Sequence, residues 1–245
     1  MSAPARSRET ALPSSRTGLV EAPAGLPWSG SDDPWGEAVR TGRGPLFLRR
    51  EDGWLLPLDV ERWCAAPDAA DTTVLDRCRG TVLDIGCGPG RFLIALAERK
   101  RTALGVDLCR DAVARALDAG AGAVCRSVFG PLPGTGRWDT ALLIDGNIGI
   151  GGDPVALLGR SAELVAPQGL LIVETAPLDL DERVLVRVGN GSDQHGPPFP
   201  WARVGTPALL RYAREAGWIE AERWTAAGRH FAALRRAPGA ASPTP

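Results

Sequence analysis

Between residues 68 and 175 the apolar positions change period again and again: short unbroken runs suited to buried strands alternate with stretches whose hydrophobic residues recur at helical spacing. The pattern predicts a helix capped near Asp68 and stopped at Gly80, strand 81–85, helix 90–99, strand 102–107, helix 110–119 and strand 121–126. Strand 138–144, helix 154–165 behind the N-cap Asp153, and strand 170–175 continue it. Strands joined by helices of this length run parallel in βαβ units, which cover both faces of an open sheet. After residue 205, Thr206-Pro207 starts a helix that Gly217 ends, and the runs 218–225 and 229–236 are linked by a turn at Ala226-Ala227-Gly228 short enough to make them antiparallel. The expected fold is α/β, with a doubly wound, mostly parallel sheet of seven strands.

Two additions flank this alternation. Residues 34–67 contain "GPLFLRREDGWLLPLD", two short apolar runs around the turn residues Glu51-Asp52-Gly53, followed by the amphipathic piece "DVERWC". We expect a small N-terminal cap there. Runs 182–189 and 198–205 flank a polar Gly/Pro-rich connection and predict a hairpin within an insertion at 176–205. Residues 1–33, rich in Ser, Pro, Gly, Ala and Arg, lack the periodicity to bury apolar surface and are expected to form a flexible tail, as is 238–245. The remaining organisation is one main domain over 68–237.

Totals narrow the partners. A chain of 245 residues, 44% hydrophobic, supports one sizeable core rather than two. The net charge is −1, Lys100 is the single lysine, and no basic block offers a surface for tracking phosphates, so no nucleic-acid partner is expected. Five cysteines lie without CxxC spacing, which implies neither a zinc site nor a disulfide framework but reduced thiols in the cytoplasm. The longest apolar runs, such as 141–144, fall far short of the roughly 18 residues of a membrane helix. No membrane partner is expected.

The stretch "TVLDIGCGPGRFL", residues 81–93, carries the chemistry. A strand running through Gly86, Gly88 and Gly90 into a helix leaves bare main chain at the carboxyl edge of the sheet, where ligands of such folds lie. A dinucleotide fingerprint requires glycine where this chain has Arg91, and no G-K-[ST] follows to make a phosphate loop. The ligand therefore touches glycines without needing a pyrophosphate bed. Downstream, "ALGVDLC" ends its strand on Asp107, 21 positions after Gly86, where a carboxylate can accept two hydrogen bonds from a ribose diol.

With these residues in view, "VLDIGCGPG" resembles the first motif of the class I S-adenosylmethionine-dependent methyltransferases, (V/L)-L-D-x-G-x-G-x-G, and the resemblance extends over 68–236. It implies a Rossmann-like sheet and S-adenosylmethionine as cofactor. By that likeness Gly86, Cys87, Gly88 and Gly90 face the methionine part, Asp84 orients the loop or reaches the amino group, and Asp107 with Leu108 takes the ribose. In "CRSVFGPLP" Ser127 and Val128 hold the adenine, with Ser127 standing where the family usually presents an acid. In "LLIDGNIGIGGDP" the residues Asp145, Gly146 and Asn147 form the methyl-transfer floor. Asp145 is a candidate for cofactor contact and catalysis, or ties down its own loop; Asn147 is a candidate for the substrate. The implied activity is methylation of an oxygen or nitrogen of a small molecule, and an Ala/Arg-heavy composition suits a secondary metabolite. The base-modifying signature (D/N/S)-P-P-(Y/F) is absent. The rival readings are another transferase using the same cofactor, and a binding module that keeps the pocket for regulation or scaffolding.

His195 and the tryptophans complete the candidate site. His195, in "NGSDQHGPPFPW", has the right unperturbed pKa to take a proton from a hydroxyl or amine. Eight tryptophans accompany one tyrosine, and Trp35 and Trp201, outside the alternating core, are the candidates for walling a pocket against a flat or apolar acceptor.

Overall fold

The computed structural model describes residues 33–191 and 196–237. In chain order the elements are α1 (Pro34–Thr41), β1 (Phe47–Arg49), β2 (Leu55–Pro57), α2 (Val60–Cys64), α3 (Ala69–Leu75), β3 (Val82–Ile85), α4 (Arg91–Glu98), β4 (Ala103–Asp107), α5 (Arg110–Asp118) and β5 (Ala123–Cys125). They continue with β6 (Trp138–Leu143), a 3₁₀ turn (Asn147–Gly149), α6 (Pro154–Leu164), β7 (Val165–Thr175), β8 (Asp181–Gly189), β9 (Phe199–Val204), α7 (Thr206–Glu215), β10 (Trp218–Ala226) and β11 (Arg229–Arg236).

The main sheet has seven strands in the order β10-β11-β7-β6-β3-β4-β5. Strands β3 to β7 are parallel to their neighbours, and β11 runs antiparallel to both β7 and β10. The chain leaves β3 toward β4 on one side and later returns to β6 on the other, so a crevice opens at the carboxyl end of β3, the switch point of the sheet. Side-chain alternation supplies both faces with core. Ala141 and Leu143 of β6 pack with Leu157, Leu209 and Trp218 on one face; Leu142 and Ile144 pack with Leu75, Phe92 and Leu96 on the other. Every residue of β3 is buried, as a central parallel strand covered on both sides requires.

A second, antiparallel sheet has the order β2-β1-β8-β9. Leu48 of β1 faces both Leu56 of β2 and Val188 of β8, and Val186 of β8 faces Phe199 of β9. The N-terminal segment and the late hairpin are thus one unit, with a core of Leu46, Leu48, Val60, Trp63, Val186, Val188 and Phe199.

Local differences from the sequence reading have local causes. Helix α1, absent from that reading, is short; the Asp33 side chain caps it by accepting from the N–H groups of Trp35 and Gly36, Pro34 sits in its first turn, and Gly42 ends it with φ 70°. Helix α3 starts on a capping box between Asp68 and Asp71 but stops at Leu75, five residues short of Gly80. Strand β7 begins at Val165, directly out of α6, and a register shift opposite Trp138 and Thr140 absorbs the earlier start.

Candidate functional site

The glycine loop leaves β3 and turns into α4. Gly86, Gly88 and Gly90 all have positive φ, at 72°, 53° and 91°, a region that L side chains rarely occupy. A Cβ on Gly86 would stand 2.5 Å from the Asn147 amide, whereas one on Gly88 would meet nothing within 4 Å: the first glycine allows close packing, the second opens onto ligand space. Asn147 braces the loop by donating from Nδ2 to the carbonyls of Ile85 and Gly86, both at 2.9 Å. Asp107, at the end of β4, accepts from Gly88 N–H at 2.9 Å through Oδ2 and from Cys109 N–H at 2.8 Å through Oδ1. Each oxygen keeps lone pairs for a further donor. Burial pushes this carboxyl above the usual range, and those N–H bonds oppose it. Asp84, on the buried β3, is raised to about 7 by burial, with the Arg91 charge pulling the other way.

Behind the loop lies a network of charges. Arg91, the first residue of α4, donates to Asp71 at 2.8 and 3.1 Å and to Asp145 at 2.5 and 3.1 Å. From β11, Arg229 reaches Asp71 at 2.7 Å, Glu174 at 2.7 and 2.8 Å and Asp145 at 3.4 Å. Arg62 of α2 closes on Asp145 from the cap side at 2.8 Å. Asp145 has φ 59°, and its N–H donates to Glu174 at 2.8 Å. Burial raises the Asp71 carboxyl, yet the bonds and charges of Arg91 and Arg229 prevail and hold it at about 2. Asp145 is thus a junction at which three guanidiniums meet.

A cavity of about 240 Å³ joins these parts. Of the residues singled out in the sequence, Gly86, Cys87, Gly88, Asp107, Leu108, Ser127, Val128, Asp145, Asn147, Trp35 and Trp201 line it. Gly90 lies below, its Cβ position 2.9 Å from Ala116. Asp84 and Gly146 are not on the cavity wall. His195 lies outside the described residues. The Ser127 hydroxyl accepts from Phe129 N–H at 3.2 Å, leaving its proton available to a ligand. Lining residues that sequence reasoning passed over include Arg91, Leu48 and Phe199. Arg91 stands directly after the glycines and was read only as a departure from another fingerprint. Trp63, one of the indoles outside the alternating core, lines the cavity beside the preferred Trp35 and Trp201.

The family described as "Methyltransferase domain" matches residues 60–227. This chain belongs to that family. It is a methyltransferase, and with the glycine loop above Asp107 its cofactor is S-adenosylmethionine. Residues present fit that donor: Gly88 clears the approach, and Asp107 retains acceptor capacity beside it. Among solved structures, a methyltransferase from Bacteroides fragilis, in complex with S-adenosylhomocysteine, is similar at 20% identity over 84% of this chain and 95% of that one, with TM-score 0.71. The 1,6-didemethyltoxoflavin-N1-methyltransferase of Burkholderia thailandensis matches at 20% identity over 67% and 74%, TM-score 0.50. The CcbJ methyltransferase of Streptomyces caelestis matches at 18% over 71% and 92%, TM-score 0.53. At these identities the likeness establishes the shared fold. Among the described residues no helix is long and apolar enough to cross a membrane.

Proposed function

We propose that this methyltransferase modifies an oxygen or nitrogen of a small molecule, and that the molecule is a secondary metabolite. The observation that carries the reading is the cavity: it is continuous with the glycine loop and roofed by the indoles and aliphatic side chains of Trp35, Leu48, Leu58, Trp63 and Trp201, a chamber of small-molecule dimensions. The Burkholderia neighbour, crystallised with 1,6-didemethyltoxoflavin and S-adenosylhomocysteine, supports an acceptor of this scale.

Bound, the donor supplies a methyl group on a sulfonium, already a strong leaving group. The chain's residues supply position. The glycine loop and Asp107 hold the donor, Ser127, Val128 and Phe129 border the place for its base, and Asp145 and Asn147 fix the floor on which transfer occurs. Apolar walls keep water out, so that alignment of nucleophile and methyl carbon can contribute up to roughly 7–11 kcal/mol. His195 is the proton acceptor of this reading where the nucleophile arrives protonated.

The test is incubation of purified protein with S-adenosylmethionine and fractionated metabolite extracts, followed by mass spectrometry. We expect small molecules that gain one CH2 on oxygen or nitrogen in step with S-adenosylhomocysteine release. Methyl transfer confined to carbon atoms or to macromolecules would overturn the reading.

A further inference from the structure

We infer that the acceptor is a planar aromatic molecule bearing a hydrogen-bond-accepting oxygen, and that α2 reads this oxygen through the indole N–H of Trp63. The inference rests on the small-molecule reading above and names its substrate class.

The shape comes from the roof. Trp35 and Trp63 are stacked with centroids 5.4 Å apart and planes 27° from parallel, and Trp201 meets Phe199 edge-on at 6.2 Å. Such walls favour a flat ring, which gains face and edge contacts that a branched aliphatic body cannot make.

The oxygen comes from an unmet need on α2. Among the described residues, the buried side-chain nitrogens and oxygens left without a partner are Trp63 Nε1 and Arg62 Nη1, adjacent in sequence on this helix. Of the two, Trp63 lines the cavity, and its N–H is a donor whose complement is an acceptor atom. Three other indoles do have acceptors: Trp138 donates to Pro133 and Trp218 to Leu158, both at 3.0 Å, and Trp224 to Thr73 at 2.8 Å. Folded proteins seldom bury a donor unpaired without a functional reason. Trp63 borders the cavity, and the proposed contact requires its ring to turn so that the buried N–H meets an occupant. The indole N–H carries no net charge, so a neutral carbonyl suffices as its complement.

The test uses two probes of matching shape, 2-acetylnaphthalene and 2-ethylnaphthalene, titrated into the full chain saturated with S-adenosylhomocysteine and followed by tryptophan fluorescence. We expect the ketone to bind about 5- to 10-fold more tightly, the worth of one hydrogen bond. Trp63→Phe, which keeps the ring and removes the donor, should bring the two probes level; S-adenosylhomocysteine affinity measured on the same sample reports that the variant is folded. The wild-type ratio needs no variant. Equal binding of both probes to wild type, failure of both to bind, or an unchanged ratio in folded Trp63→Phe would overturn the inference. Lack of S-adenosylhomocysteine binding by wild type would instead remove the cofactor assignment beneath it.

Discussion

At the residue scale, Asp107 does two jobs with one carboxylate. It fixes the glycine loop by accepting from Gly88 N–H, and on the proposed reading its remaining lone pairs take a ribose. Asp107→Ala should therefore weaken S-adenosylhomocysteine binding about 10- to 100-fold, as the loss of one or two charge-assisted bonds implies. Calorimetry that finds the affinity within about twofold of wild type would remove Asp107 from the ribose site. The glycines and Asp107 were legible in the sequence because their roles are backbone freedom and charge at a strand end, both written locally. Arg91 was not. Its function depends on Asp71 and Asp145, which lie far off along the chain and meet it only after folding. The unpaired indole N–H of Trp63 was illegible for the same reason, since no sequence shows which donor will lack an acceptor.

At the element scale, Asp71 pins the start of α3 to the start of α4 and the start of β11 through Arg91 and Arg229. Its carboxyl is depressed from 3.8 to about 2. The unfolded chain therefore takes up this proton before the folded one does, and the stabilisation present above pH 3.8 is lost as pH falls toward 2. Urea unfolding across that window should show stability declining with acid, and Asp71→Asn should flatten this part of the profile. At neutral pH the same variant should lose about 1.5–3 kcal/mol, because Arg91 and Arg229 each lose one carboxylate partner while Asp145 and Glu174 still compensate them. An Asn variant as stable as wild type would mean that the pairs contribute no net stability. Elements themselves were readable where periodicity was sustained, from β3 through β7. Helix α1 escaped because eight residues give little more than two turns, although Asp33, Pro34 and Gly42 mark its ends. The pairing of β1 with β8 could not be read, since short strands carry no label for a distant partner.

At the scale of the molecule, on the proposed reading the parallel sheet holds the donor and the antiparallel sheet roofs the acceptor chamber. The two should be separable. Val188→Asp buries a charge against Leu48 in the smaller sheet, where Val188 has no exposed surface. Hydrogen exchange should then quicken together in 47–49 and 181–189, with methyl transfer falling while S-adenosylhomocysteine affinity stays within about twofold. Equal loss of both would show that the roof also sustains the donor site. The joining of β1 to β8 bears on synthesis as well. As the polypeptide leaves the ribosome, the ribbon of β1 and β2 emerges early and waits, one edge bare, until the glycine loop and five parallel strands have passed. Until β8 is made, β1 has no partner on that edge, so on the proposed reading the roof over the acceptor is completed only after the glycine loop has been synthesised.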